Sequence, residues 1–412
     1  MIYDVFFSIC QTEVDGYKPT EREMFNNFFD QVKLADRLGY KTAWIAETHL
    51  SCEVQKENPG AVIPHFKGEI GLNTDILQLA HKVFAVTDTI NVGSAIMNIL
   101  CNGGPIAHAE AIKTFLALHG LEEKEKRVLE IGFAAGRFPF SNVPYGIRPR
   151  DPVEEKAWPV VKGLLFREAT EIFLRALKDE SFSSNDITKY MLTRDLFRTD
   201  EEWNELVKVY NQTTSGDQIG VDGCIPLRSF WDFDKLGVIP FESRMELLKL
   251  TIGSHDPLTQ KHANKFLPCG VFNLSITPSE KIDETHVFMQ DHYHKDGGSW
   301  QRHLMPRTCL IFVNGDADKS PSQQTVAAKK AAKSALENYW LAMEGTLDPD
   351  KIEKAVNNSI AGNPEVVAGM IKEKYHPQDR LMLWFDFNNH NNEEIKNSME
   401  TFANKVIPLL EQ

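Results

Sequence analysis

Short apolar runs alternate along most of the chain with longer stretches in which apolar positions recur every three or four residues. That alternation predicts strands followed by amphipathic helices, the pattern of a parallel sheet wrapped by helices. Eight units can be placed, with strands expected over 2–9, 42–47, 90–97, 128–133, 269–275, 307–313, 357–361 and 381–387. Most read as nearly continuous apolar runs, as strands buried on both faces do. The following helices are expected over 22–38, 74–86, 105–119, 153–177, 279–289, 324–343, 364–374 and 392–409. Asn363 before Pro364 is an N-cap with proline at the first helical position. Eight pairs could also form a long doubly wound sheet, but eight strands close a barrel and leave no edges, so the expected fold is one α/β (β/α)8 TIM barrel over 1–412. Two stretches break the pattern and are expected as insertions near the active-site mouth. About 181–266, between the fourth and fifth units, is polar, dotted with Trp and weakly periodic; about 51–72 follows the second strand. The shorter one leaves the C-terminal end of a strand, where barrel enzymes place their sites, which suggests a lid or substrate wall; a decorative or dimer-contact segment is the alternative.

Composition narrows the classes. Across 412 residues the formal charge is −13, the wrong sign for a phosphate-backbone partner, so nucleic acid is not expected. No apolar run approaches the roughly 20 residues that span a bilayer, and the start lacks a signal-peptide pattern, which makes a cytoplasmic location the expectation and a membrane partner none. Six cysteines, Cys10, Cys52, Cys101, Cys224, Cys269 and Cys309, lie far apart without a C-x-x-C pair and are expected as reduced thiols.

Candidate chemistry lies where strands end. After the second strand, Glu47-Thr48-His49 sets a carboxylate and an imidazole two apart, able to hold a substrate or exchange a proton; loop capping and packing explain them equally well. After the fourth, Gly132-Phe133-Ala134-Ala135-Gly136-Arg137 combines small residues that admit a flat ligand with a cation that could meet phosphate. It is not a G-x-G-x-x-G fingerprint, and the chain has no phosphate loop of the G-x-x-x-x-G-K type. Ser275, Thr277 and Ser279 before a helix suit either an N-cap or a phosphate cradle, and Gly362 makes a glycine turn at another helix start. The end of the last strand changes abruptly to Asp386-Phe387-Asn388-Asn389-His390-Asn391, where His390 could line a pocket and the asparagines could be turn residues. His292 and His294 have a metal-like spacing but lie at a helix end without a partner carboxylate in a strand-end motif, and no metal is expected. No G-x-S-x-G elbow points to acyl transfer.

Taken together these junctions resemble the bacterial luciferase-like flavin-dependent monooxygenases along nearly all of the chain outside the insertions. Leu38-Gly39-Tyr40 through Trp44-Ile45-Ala46-Glu47-Thr48-His49-Leu50 looks like the family's second strand and its E-H-H-F ending. Asn91-Val92-Gly93-Ser94-Ala95-Ile96 looks like the third strand, and Pro105 with His108-Ala109-Glu110 like the helix after it. Gly362-Asn363-Pro364-Glu365 resembles a G-T-P-E-E loop, and Ser398-Met399-Glu400 to Val406-Ile407-Pro408-Leu409 the closing helix. The resemblance implies a reduced FMN supplied by a separate flavin reductase, O2 as co-substrate, a peroxyflavin that oxidises a small organic molecule, and a homodimer or heterodimer. It places the isoalloxazine near Ala95, Ile96 and Ala134, a non-proline cis peptide at or near Ala95-Ile96, and the phosphate by Ser275 and its neighbours. His49 or His390 would act as base or hydrogen-bond donor, with Thr48 orienting an oxygen. The sequence departs from the family twice. Thr48 replaces the first histidine of E-H-H-F, and Ala135 replaces a phosphate-binding arginine that Arg137 would have to stand in for. Light emission is therefore not implied. The rivals are F420-dependent hydride transfer on the same fold, a flavin-binding protein without turnover, and, more distantly, a metal-dependent barrel hydrolase.

Overall fold

The computed structural model describes residues 1–214 and 216–412. Nine parallel strands form its main sheet: β1 (Ile2–Phe7), β2 (Thr42–Ile45), β3 (Asn91–Asn98), β4 (Leu129–Ala134), β5 (Leu248–Ile252), β6 (Cys269–Val271), β7 (Pro306–Val313), β8 (Ile360–Gly362) and β9 (Arg380–Trp384). Strands β1 to β6 pair in sequence order. A bridge from Asn273 to Arg307 then joins the end of β6 to β7, with Asn273 N–H donating to Pro306 O at 2.9 Å and Thr308 N–H to Asn273 O at 3.1 Å. Since β9 pairs with both β7 and β1, the sheet curls back on itself as an eight-stranded ring. Helices cover its outside, among them Glu21–Arg37, Gly104–His119, Trp158–Leu177, Pro321–Glu344 and Pro364–Lys374.

Two assignments from sequence are corrected. The fifth ring strand is Leu248–Ile252, inside the stretch read as insertion, so 269–275 holds the sixth strand and 307–313 the seventh. The eighth strand in sequence, β8, stands outside the ring: it pairs only with Ile311 to Val313, because β9 occupies β7 from Pro306 to Leu310. The first error has a physical cause. Leu-Lys-Leu-Thr-Ile alternates, and an alternating run looks like a surface strand when the barrel interior is assumed to be apolar.

The lower interior of this barrel is ionic. Alternate residues of each strand separate into an outer cluster, with Val5, Phe7, Ala43 and Ile45, and an inner one of Phe6, Trp44, Phe272 and Met382. Below that inner cluster lie Asp4, Thr42, Glu130 and Arg380, all buried. Arg380 donates to Asp4 at 2.5 Å and to both Glu130 oxygens at 2.8 and 2.6 Å, while Thr42 accepts from Arg380 at 2.8 Å and donates to Glu130 at 2.7 Å. Trp44 Nε1–H adds a bond to Asp4 at 2.7 Å. Burial holds the Asp4 carboxyl up at about 6 against the pull of Arg380, whereas Arg380 and its other partners keep Glu130 below the usual range despite its burial.

The insertions have different characters. The longer one, shortened at its end by β5, carries helix Asp200–Thr213 and a two-residue antiparallel pair, Met191–Leu192 with Ile225–Pro226. It builds a small core of its own from Leu192, Trp203, Leu206, Val207 and Ile225 against Ala157, Val161 and Leu164. The shorter one pairs back with the chain leaving β1: Gln11 N–H donates to Glu69 O at 2.9 Å, Glu13 N–H to Lys67 O at 3.0 Å and Leu72 N–H to Ile9 O at 3.1 Å. Gly68 is required there, since its φ is +95° and a Cβ would run into the Gln11 carbonyl. Its apolar residues Cys52, Ile63 and Phe66 pack with Ala342 and Met343 of helix Pro321–Glu344 and with Phe138 and Phe140 after β4, so this strap roofs the C-terminal end of the ring.

Replacing Arg380 by Met leaves Asp4 and Glu130 buried without their cation. The variant is expected to lose roughly 3–5 kcal/mol of stability, measured by urea unfolding at neutral pH; a loss under about 1 kcal/mol would show that the ion network contributes little.

Candidate active site

At the roofed end of the ring the inward positions of neighbouring strands are small. Ala46 follows β2, Ala95 lies in β3, Gly132 and Ala134 in β4, and Gly253 follows β5. A Cβ on Gly132 would meet the Ser94 carbonyl, and one on Gly253 would lie 2.7 Å from Ile96 Cδ1 and 3.1 Å from Ala134 Cβ. These positions form a close-packed, side-chain-poor floor, with the Ile96 side chain resting across it. The peptide between Ala95 and Ile96 is cis, as the resemblance implies, and the β3–β4 register shifts between Ser94 and Met97.

Beside this floor, the residues after β2 converge. Glu47 and His49 are buried, and Glu47 Oε1 lies 3.2 Å from His49 Nε2. Residues two apart on extended chain share a side, which is why this pair meets. Burial pushes the Glu47 carboxyl up, with the His49 bond opposing it, and Glu47 Oε2 is buried without a partner. Thr48 is held by its N–H donating to Asn73 O at 3.0 Å and packs on Gly71. Ser94 Oγ and Trp384 Nε1 are two further buried polar atoms without partners, on β3 and β9. An unpartnered buried polar atom costs about 1–3 kcal/mol, so a group of them at one end of a barrel is a characteristic of a binding site.

Other sequence candidates lie apart. Ala135 O accepts from Asn142 Nδ2 at 3.2 Å, and Gly136, at φ +68°, packs on the Asn98 side chain. Arg137 is exposed, its guanidinium 5.5 Å from the Phe138 ring centre. Ser275 and Thr277 stand two strands further round the ring than Ala134 and serve their own turn: Thr277 Oγ accepts from Leu274 N–H at 3.0 Å, and Ser275 N–H donates to Thr308 Oγ at 2.7 Å. Gly362 lies on β8 outside the ring, where a Cβ would strike Val366, so its smallness serves the turn into helix Pro364–Lys374. His390 Nε2 meets Thr12 O at 2.6 Å, behind β1. His292 bonds the Phe288 carbonyl and His294 caps its own turn; among the described residues no group of three or more His, Cys, Asp or Glu is placed to hold a metal ion.

Three groups near the floor escaped the sequence reading. The strand-end loop Gly253-Ser254-His255 follows the unrecognised β5, and His255 Nε2 lies 3.2 Å from Asn273 Oδ1. Its signal was present, since Asp256-Pro257 repeats the cap-plus-proline pattern of Asn363-Pro364. Lys162, on helix Trp158–Leu177, donates to Gly136 O at 2.9 Å, and burial lowers its pKa. Asp386 faces Ser8, accepting from its N–H at 3.1 Å and its hydroxyl at 3.0 Å.

Residues 5–120 match the family described as luciferase-like monooxygenase, a stretch that holds Glu47 to His49 and the Ala95-Ile96 peptide. No curated protein matches the chain. Among solved structures, the monooxygenase RslO1 from Streptomyces bottropensis is 14% identical with a TM-score of 0.65, covering 99% of each chain. The oxygenating constituent of 3,6-diketocamphane monooxygenase from Pseudomonas putida, solved with FMN, is 14% identical with a TM-score of 0.58, over 99% of this chain and 98% of that one. An F420-dependent secondary alcohol dehydrogenase is 13% identical with a TM-score of 0.54, over 100% and 99%. At these identities the structures establish the barrel fold. No helix among the described residues is long and apolar enough to cross a membrane.

Beside β3's exit, a groove of about 310 Å³ is lined by Leu100, Gly103, Gly104, Tyr145, Phe230 and Trp231, among others. Its Phe230–Trp231 wall is tied down by Glu168, which accepts both backbone N–H groups at 3.0 and 3.3 Å. Burial raises the Glu168 carboxyl from 4.5 to about 7. A raised folded-state pKa gives stability that is complete below about 4.5 and lost as pH rises through about 7. Glu168→Gln is therefore expected to abolish a loss of roughly 2–3 kcal/mol between pH 5 and 8, measured as the difference between wild-type and variant urea curves; parallel curves would refute it.

Proposed function

We propose, from the match of residues 5–120 to the luciferase-like monooxygenase family, that the protein is an oxidoreductase binding a reduced flavin mononucleotide over the small-residue floor and using it with O2 to oxidise a small organic substrate. The observation that carries this reading is the floor of Ala95, Gly132, Ala134 and Gly253 beside the buried Glu47–His49 pair. A planar heterocycle needs a surface without projecting side chains and polar atoms at its edge, and Glu47 Oε2, Ser94 Oγ and Trp384 Nε1 supply unpartnered ones.

The flavin supplies the electrons that activate O2. Ala95, Ile96 and Ala134 would support the ring, while Lys162 and the Ser254 loop offer charge and hydroxyl for the phosphate. Ser275 and Thr277, further round the ring, would act only if the phosphate tail crossed β6. Glu47 holds the His49 ring through Nε2, so that Nδ1 is the nitrogen left to accept or donate a proton at substrate, and Thr48 offers a hydroxyl beside it. The 51–72 strap and the longer insertion exclude water from the mouth, as oxygen chemistry on a reduced flavin requires. A flavin reductase as electron source and a dimeric assembly complete the reading, and the dehydrogenase-like alternative would use F420 at the same floor.

Binding distinguishes these possibilities. Under anaerobic conditions reduced FMN is expected to bind saturably to wild type and at least about tenfold more weakly to Ala134→Leu, a cost of about 1.4 kcal/mol. Binding of reduced F420 but not FMN would favour hydride transfer, and equal FMN affinity in wild type and variant would remove the floor from the site.

A further inference from the structure

Behind β1 the structure holds two buried polar atoms that the flavin reading leaves unused: Asp386 Oδ1 and His390 Nδ1, neither with a protein partner. Both residues line one small, partly open cavity of about 20 Å³, whose walls combine apolar side chains such as Phe7, Ile9 and Phe28 with the polar Asn27, Gln31 and Asn389. That is room for one water, which needs about 10–15 Å³ and two or more polar partners. The hydrogen-bond chemistry fits one water as well. His390 Nε2 lies 2.6 Å from the Thr12 carbonyl, which can only accept, so Nε2 carries the hydrogen and Nδ1 presents a lone pair. Asp386 Oδ2 is taken by the Ser8 N–H and hydroxyl, and the Trp384 indole N–H faces the carboxyl without closing a hydrogen bond to Oδ1. A water has hydrogens enough to meet both atoms when Asp386 is ionised.

Burial moves the two proton affinities towards each other. It pushes the Asp386 carboxyl up to about 6 and the His390 imidazole down. The titratable groups facing the pair are Cys10, from the chain after β1, and Glu23, from helix Glu21–Arg37; that helix otherwise presents the neutral Asn27 and Gln31. Asp386 and Ser8 continue the inward positions of β9 and β1, whereas the cavity opens on the outer layer between β1 and the helix.

We propose that a single ordered water bridges Asp386 Oδ1 and His390 Nδ1, and that the three form a relay sharing one proton, which Asp386 exchanges with the barrel mouth through Ser8. Its role in turnover rests on the oxidoreductase reading above. In the forward step the proton on Asp386 Oδ1 moves to the water as the water gives one to Nδ1, leaving a carboxylate and an imidazolium. The reverse step restores both, and no electrons move. Asp386 and His390 are positioning and proton-transfer residues in this scheme.

A crystal structure of the wild-type protein that resolves ordered water tests the site directly: density within about 3 Å of both atoms is expected, and a cavity without density overturns the proposal. For the relay, Asp386→Asn is expected to lower kcat by roughly 10²-fold and to remove a limb of the pH profile near 6. His390→Gln keeps a donor for the Thr12 carbonyl and is expected to do the same. Profiles and kcat within about twofold of wild type in both variants overturn the relay. If wild type shows no flavin-dependent turnover, that failure belongs to the function. NMR titration of the His390 ring then decides the relay: a midpoint that moves in Asp386→Asn supports it, and an unmoved midpoint overturns it.

Discussion

The barrel depends on a single cation. Arg380 enters the ring from β9 and touches Asp4 on β1, Thr42 on β2 and Glu130 on β4, so four strands meet at one guanidinium. Removing these charges from water costs several kcal/mol per ion, and only near-complete pairing offsets it. The planar fork of arginine allows that pairing, since its donors point along fixed directions, Nε to Asp4 and the two terminal nitrogens to Glu130 and Thr42. Specificity follows from the geometry. A strand slipped by one residue would turn its charge outward and leave the others unmatched, so the network penalises wrong registers more strongly than an apolar filling would.

Above that ionic layer the interior changes character. Phe6, Trp44, Phe272 and Met382 seal the barrel, and above them side chains shrink to alanine and glycine. The sequence thus divides the barrel axis into charge, apolar seal and open floor, each with a distinct task. Strand pairing below holds the floor in place, so residues above can be left small and some polar atoms unpartnered without loss of shape. The Glu47–His49 pair sits at this upper level because β2 ends at Ile45 and the chain, before the strap begins, is held by the Thr48 N–H on the Asn73 carbonyl.

How much of this could be read in the sequence follows from the same division. Most ring strands were visible because their outward residues are apolar and the middle inward ones are too. β5 was hidden because Lys249, exposed at the rim of the ring, and Thr251, buried inside it, make its run alternate like a surface strand. The strand at Ile360–Gly362 was visible but its place outside the ring was not, since pairing partners leave no trace in local periodicity. Among candidate residues, Glu47, Thr48, His49, Ala95 and Ile96 were named from a local motif, and the structure brings the first three together by backbone geometry alone. The cluster around Ser275 was placed one strand too early in the count, and Gly362 answers to turn geometry. Lys162 and Asp386 could not have been singled out, because each gains its position from a partner far away in sequence.

The strap across the mouth has a consequence for traffic. Its three backbone hydrogen bonds to the chain after β1, locked by a glycine no other residue can replace without strain, make that rim of the barrel continuous wall. A molecule arriving from outside would have to unzip the wall to pass on that side, whereas the rim between β3 and β5 is bounded by side chains and the groove at Trp231. The barrel is therefore a vessel walled by paired backbone at its back and bounded by side chains at its front.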